Sequence, residues 1–287
     1  MLNMASSVFI KDPAGLEKAK KAIKKDGIAN LHVLADFDQT LTQAFVSGKI
    51  VPSLLSIMYN EGYLGPDYSE KAKALHSKYY KTEMDPEVPR EVKKKAMEEW
   101  WNLHFELLIK SKLNKKDIES IIKSGKVKLR EGSDIFFSIL KESDIPLVIM
   151  SSSGLGGEAI EDLLKEEGKR FSNTHIISNT FNWDSNGSAI SIERPIIHAM
   201  NKGETSLKNF PEIYNKVKNR KNVLLLGNGP DDVDMVEGFD YSSLVKIGFL
   251  NEKVEEHLED YKRLYDVVIT GDGPMDYVNE LLKEWCE

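Results

Sequence analysis

Cysteine is nearly missing from this sequence: Cys286, beside the C-terminal residue, stands alone. One thiol can build neither an intramolecular disulfide nor a cysteine-based metal site, which suits a reducing compartment. Long apolar runs are missing too. Nowhere do the ~18 uninterrupted apolar residues of a membrane-spanning helix occur, and the opening MLNMASSVFIKDP lacks a basic stretch followed by an apolar one, so a cytoplasmic location without a membrane partner is expected. Nor is there an excess of positive charge. With 39 basic against 46 acidic residues the net charge is −7, which argues against a nucleic-acid polymer held by the general field, although a small anion can bind at a local site. The lysine clusters at 18–25 and 93–95 are interspersed with or flanked by apolar positions and read as solvated helix faces. What is present is ordinary: 287 residues, 41% hydrophobic and 30% charged, describe a globular protein of one large or two smaller domains.

Leu31 to Ala35 (LHVLA) is a β-leaning run that stops at Asp36-Phe37-Asp38, as a buried strand delivering carboxylates at its C-terminal end would. In open α/β sheets that end is where ligands bind. Similar runs recur at Pro146 to Met150, Thr174 to Ile177, Val223 to Leu226, Leu244 to Ile247 and Val267 to Ile269. Helix-length amphipathic segments, such as 133–141, 158–166, 231–237 and 275–285, separate most of them. The alternation predicts an α/β fold with a mostly parallel, Rossmann-like sheet. Residues 47–126 break this rhythm. Helices are expected there over 52–60, 67–81, 89–110 and 114–124, with proline in first turns and Asn114 as a cap. The reading is an all-helical cap (47–126) inserted into an α/β catalytic core made of 1–46 and 127–287. Within the third of these helices, Val92, Ala96, Trp100, Leu103 and Leu107 form a stripe predicted to face the bundle core, with Met97, Trp101, His104 and Phe105 on a neighbouring face. Asp184-Ser-Asn-Gly187 signals a small hairpin.

Chemistry concentrates where those runs end. In Asp36-Phe-Asp38-Gln-Thr40-Leu-Thr42 two carboxylates sit two residues apart, and strand alternation points both to one side. Such a pair serves as a nucleophile and a proton-handling group, or simply as a polar strand-to-loop transition. After PLVIM comes Ser151-Ser-Ser-Gly154-Leu-Gly-Gly157, where hydroxyls and backbone N–H groups gather at a helix start. That is a phosphate cradle or an ordinary capped loop. After VLLL comes Gly227-Asn-Gly-Pro-Asp231-Asp232-Val-Asp234, a cluster of oxygen donors suited to Mg²⁺ together with Asp36, or to capping a helix. Phosphate chemistry at all three ends favours the metal-assisted reading.

Together with Asn201-Lys202-Gly203, these segments resemble motifs one to four of the haloacid dehalogenase superfamily. Their order, and the helical insertion after motif one, resemble the cytosolic 5'-nucleotidase III (pyrimidine 5'-nucleotidase) family, as do Phe9-Ile-Lys-Asp-Pro13, the segment from Tyr79 through Glu83 to Pro86, Glu99-Trp-Trp101 and Lys246-Ile-Gly-Phe249-Leu-Asn. The resemblance implies a Mg²⁺-dependent 5'-nucleotidase acting on pyrimidine monophosphates such as CMP and UMP, with 7-methylguanosine monophosphate as a variant, through a phospho-aspartate. By position, Asp36 is the nucleophile and a metal ligand, and Asp38 the acid/base and a further ligand through its carbonyl. Asn228 and Asp232 complete the metal set; Ser151 or Ser152, with Lys202, holds phosphate. Glu83 and Trp101 bind the base, Glu83 by accepting an N–H. The sequence departs from the family pattern at Asn228, where an aspartate is usual, and weaker Mg²⁺ binding is expected. A phosphatase for another small phosphomonoester, or a catalytically weakened nucleotide binder, are the rival readings. A monomer is expected.

Overall fold

The computed structural model describes residues 7–51, 53–85, 87–203, 209–237 and 240–287. Pro52, expected in a helix's first turn, and Pro86, in the segment with Glu83, lie outside them, as do residues 1–6. A seven-stranded sheet in the order β1-β11-β10-β9-β2-β5-β6 forms the centre. Its strands are β1 (Val8–Ile10), β2 (Leu31–Ala35), β5 (Leu147–Met150), β6 (Thr174–Ile177), β9 (Asn222–Gly227), β10 (Ser243–Leu250) and β11 (Val267–Thr270). All neighbouring pairs are parallel except β1 with β11, the antiparallel edge.

The central strands β2, β5 and β9 are buried at every position and mostly apolar because both sheet faces are covered. Along β2, Leu31, Val33 and Ala35 join one core cluster and Leu34 the other; along β9, Leu224 and Leu226 take the first and Val223 and Leu225 the second. This alternation is the period of two expected of side chains crossing a sheet. On the first face pack α1 (Pro13–Asp26), α6 (Ser133–Glu142), α7 (Gly156–Glu166) and the C-terminal helix Asp276–Cys286. Helix Val254–Leu264 lies against the second. The lysine-rich helix face expected at 18–25 is part of α1, whereas neither β1 nor the helix Val254–Leu264 was expected from the sequence. Asp231 to Glu237, expected as a regular helix, is a tighter 3-10 turn over Pro230–Val236. The hairpin is present as β7 (Phe181–Trp183) and β8 (Ala189–Ile192).

Between β2 and β5 the chain leaves the sheet, makes the short hairpin β3 (Phe45–Val46) and β4 (Lys49–Ile50), and forms four helices: α2 (Leu54–Asn60), α3 (Pro66–Met84), α4 (Arg90–Lys110) and α5 (Lys115–Lys123). Asn114 caps α5, its side chain accepting the Lys116 N–H at 3.0 Å. The buried stripe of α4 is only partly the expected one: Trp100 is buried as expected, and Ala96 and Leu107 pack against the core clusters. Val92 and Leu103 are 51% and 38% exposed, while Met97, Trp100, His104, Phe105 and Leu108 are buried. The helix carries apolar side chains around more than half its girth, so period alone cannot choose the face; the choice is made by what packs on it. Trp100 stacks on Tyr79 of α3, Phe105 meets Phe181 edge-on across to the core, and Met200, in a 3-10 turn of the core, joins Tyr79, Met97 and Trp100 in one cluster. Among the described residues no helix is long and apolar enough to cross a membrane.

Candidate active site at the strand ends

Strands β9, β2 and β5 are adjacent, so their C-terminal ends bring Asn228, Asp36 and Ser151 side by side. Asp36 is buried, and Lys202 Nζ reaches its Oδ1 at 2.5 Å and Asp232 Oδ1 at 2.8 Å. Lys202 is itself only 4% exposed. Burial alone would drive its proton off, but Asp232 and Asp36 outweigh that and hold its pKa above the usual lysine range. The cation is thus locked in place facing the carboxylate. Gly203 follows it because the carbonyl of Asp234 passes so near that a Cβ would sit 2.3 Å from that oxygen. Any larger residue would require this backbone crossing beside Lys202 to move apart.

Two carboxyls with separated tendencies occupy the tip of β2. Burial, opposed by Lys202, pushes Asp36 up to about 6. Burial and then the charge of Asp36 push Asp38 up to about 8, and its Oδ1 is shut off from solvent with no hydrogen-bond partner. At neutral pH this favours an ionised Asp36 and a protonated Asp38, the division of labour of a nucleophile and an acid.

Asp232 lies differently from a simple metal ligand. Its Oδ2 accepts the N–H groups of Asn228 (2.9 Å) and Gly229 (2.8 Å), and its Oδ1 is taken by Lys202. The loop it folds is pinned from behind by two tyrosines: Tyr261 Oη donates to the Asn228 carbonyl and Tyr265 Oη to that of Gly229, each at 2.5 Å. Neither tyrosine was legible as a site residue, lying far along the chain in a helix and its exit; the flanking glycines Gly227 and Gly248, where a Cβ would collide with Tyr265, are the only trace.

Ser151 is buried at the end of β5, its N–H given to Ile177 O (3.0 Å) and its Oγ accepting the Ser153 N–H (3.2 Å); Ser152 beside it is half-buried. The glycine amides of this loop are not all free for an anion, as the sequence suggested. Those of Gly156 and Gly157 are spent on Ser153 O and Asn179 O, because α7 begins at Gly156 and docks on the β6 exit. Gly154 lets the helical segment close onto this loop, since a Cβ there would lie 2.4 Å from Leu55 and 2.8 Å from Trp101. Trp101 therefore stands directly over the serine loop, stacked with Trp100 and Phe105. Glu83 is half-buried; burial and the nearby Asp231 push its carboxyl up to about 7, and Lys93 opposes this while donating to the Glu83 carbonyl at 2.8 Å. Arg90 pairs with Asp234, bridging α4 to the 3-10 turn. Among the described residues no hydrogen bond ties Glu83 or Trp101 to Asp36, Asp38 or Lys202, and none groups three or more His, Cys, Asp or Glu side chains as a metal cluster.

The chain resembles known proteins in sequence and in fold. The family model described as "Pyrimidine 5'-nucleotidase (UMPH-1)" matches residues 39–286. The chain is 33% identical over 278 residues to a 7-methylguanosine phosphate-specific 5'-nucleotidase of Xenopus laevis, covering 96% of this chain and 95% of that one. It is similar to the crystal structure of cytosolic 5'-nucleotidase IIIB bound to cytidine, with a TM-score of 0.85 and 28% identity over 97% of this chain and 92% of that one. A hydrolase of the haloacid dehalogenase family from Salmonella enterica shares the fold at 15% identity, with a TM-score of 0.57 over 90% of this chain and 73% of that one.

Proposed function

Because this chain belongs to the pyrimidine 5'-nucleotidase family and is a phosphomonoester hydrolase of the haloacid dehalogenase fold, we propose that it cleaves nucleoside 5'-monophosphates through a phosphoryl group carried on Asp36, with CMP and 7-methylguanosine monophosphate as leading substrates. The observation that carries this reading is the buried Asp36–Lys202–Asp232 array, with the buried, unpartnered Asp38 Oδ1 beside it. Asp36 Oδ1 attacks phosphorus and the bond to the 5' oxygen breaks, while Lys202 offsets charge on the phosphoryl oxygens. Asp38 gives its proton to the departing oxygen. As a carboxylate it then takes a proton from the water that attacks phosphorus, and the Asp36–phosphate bond breaks to release phosphate. Ser151 or Ser152 holds the phosphoryl oxygens from the β5 side. The helical segment 47–126 acts as a cap over the strand ends of the 1–46 and 127–287 core, keeping water out and selecting the leaving group. We place the enzyme in the cytosol as a monomer.

Mg²⁺ belongs to this proposal, and the oxygen donors fit it. The side-chain amide of Asn228 turns an atom toward Asp36 Oδ2 at 3.1 Å and toward the Asp38 carbonyl and Thr40 Oγ1 at 3.2 Å. With the amide oxygen inward, Asn228 Oδ1 faces Asp36 Oδ2 and the Asp38 carbonyl in an all-oxygen cluster, at separations close to the ~3 Å edge of an octahedron of Mg²⁺ ligands. Bound there, the ion would neutralise Asp36 and polarise the phosphate. With the amide nitrogen inward, the same position satisfies those oxygens by hydrogen bonds. Asp232, saturated by Lys202 and two amides, supports the cluster from behind. An aspartate at 228 would supply a charge to the metal and no N–H to the metal-free site. The Asn228→Asp variant is thus expected to bind Mg²⁺ about tenfold or more tightly by calorimetry and to melt at lower temperature than the parent without metal. Equal affinities would contradict the assignment.

Glu83 reads the base in this proposal: a carboxylate accepts from the cytosine exocyclic amine or the guanine N1–H and N2–H groups. Glu83→Gln is expected to raise KM for CMP and 7-methylguanosine monophosphate by ~10–100-fold, the worth of a hydrogen bond to a charged group, with little change in kcat. Unchanged KM would remove Glu83 from the base site. The reading as a whole is tested by Mg²⁺-dependent phosphate release across nucleoside monophosphates and sugar phosphates; no preference for nucleotides would overturn it.

A further inference from the structure

Arg130 is the largest fully buried side chain among the described residues, and the mechanism above gives it nothing to do. Its Nε donates to the Thr40 carbonyl at 2.7 Å, and its Nη1 to Asp272 Oδ1 at 3.0 Å and the Gly273 carbonyl at 2.8 Å. Nη2 donates to the carbonyl of Gln39, to that of Thr42 at 3.3 Å and to Asn251 Oδ1 at 3.2 Å. The guanidinium also lies over the Phe249 ring, 4.1 Å from its centre. Every N–H is used, and half of the acceptors are carbonyls of the loop that follows Asp38.

Such a loop needs holding. Gln39 has a left-handed backbone (φ +58°), unusual for a residue with a side chain, and Arg130 and Asn251 Nδ2 both fasten its carbonyl. The partner acid extends the clamp in the other direction: Asp272 accepts the N–H groups of Ala44 (2.8 Å) and Phe45 (3.0 Å), where the chain sets out toward the helical segment. The returning chain pairs with the outgoing one at the same point, through Arg130 N to Leu41 O (2.8 Å) and Gln43 N to Lys128 O (2.9 Å). Both crossings between core and helices therefore converge on one ion pair.

The geometry points to Arg130 and Asp272 as positioning residues that hold the Asp36–Asp38 loop in register with the base of the cap, so that the acid and the nucleophile are aligned when the cap is closed. This rests on the nucleotidase reading for its kinetic readout but not for its structural one. Lysine at 130 keeps the charge and loses the planar fork, so it cannot span Thr40, Gln39 and Asp272 together. In Arg130→Lys, kcat is expected to fall ~10–100-fold, the scale of a misplaced catalytic group, with KM within ~3-fold of the parent. Asp272→Asn, which keeps the size of the side chain, is expected to fall in the same direction. Hydrogen exchange at the Leu41, Ala44 and Phe45 amides is expected to quicken in both variants, and guanidinium ion is expected to restore part of kcat in Arg130→Ala. Activity per folded molecule equal to the parent's, a KM effect without a kcat effect, or unaltered exchange at these amides would each overturn the assignment. An inactive parent would instead refute the nucleotidase reading, leaving the exchange result to judge the clamp.

Discussion

Replacing Asp36 with asparagine is expected to lower kcat by on the order of 10⁴-fold or more while the protein stays folded. The Asp36 carboxylate faces Lys202 with one oxygen and the oxygen cluster around Asn228 with the other. An amide of the same shape cannot form the acyl phosphate, so no detour of similar barrier remains. Folding should survive because Lys202 keeps Asp232 at 2.8 Å and the strand's backbone bonds are untouched. The check is steady-state phosphate release with CMP beside a melting curve; a folded variant retaining a tenth of the parental kcat would be incompatible with covalent catalysis at this residue.

Asp38→Asn should come next in size, at ~10²–10⁴-fold, the usual worth of a general acid. Its pH dependence is more telling than the drop. The proposed mechanism needs Asp36 ionised, so the rate of the parent is expected to fall as pH drops through about 6; it needs Asp38 protonated, so the rate is expected to fall as pH rises through about 8. The expected profile is a bell between these values, with a cation beside Asp36 drawing the acid limb lower. An asparagine cannot lose a proton in this range, so the alkaline limb should vanish in Asp38→Asn, and persistence of that limb would assign the acid elsewhere.

The centre of the sheet was readable because β2, β5 and β9 are buried on both faces and stop abruptly at Asp36, Ser151 and Gly227. Apolar runs of that kind leave few alternatives. The edge strand Val8–Ile10 was not readable, since three half-exposed residues carry no pattern until they pair with Val267–Ile269. In α4 the period was right and the face shifted: Trp100 is buried as expected, but Val92 and Leu103, which continue the stripe in sequence, are exposed, and the surface that buries Met97, His104 and Leu108 belongs to other elements. Lys202 is one of 39 basic residues and could be singled out only by resemblance; its meaning comes from two acids 166 and 30 positions away. Arg130 offered less still, being one of three basic residues in the run Lys126-Val-Lys-Leu-Arg130, with partners that are mostly backbone carbonyls, which no side-chain motif records.

The central claim concerns a bond to one oxygen, so the most direct measurement traps that bond. Enzyme turning over CMP with Mg²⁺ can be quenched in acid and treated with borohydride, which reduces an aspartyl phosphate to homoserine. Peptide mass spectrometry should then find homoserine at position 36 and nowhere else, in amounts that rise with substrate and disappear in Asp36→Asn. Homoserine at another aspartate, or none at any substrate concentration that sustains turnover, would contradict the account.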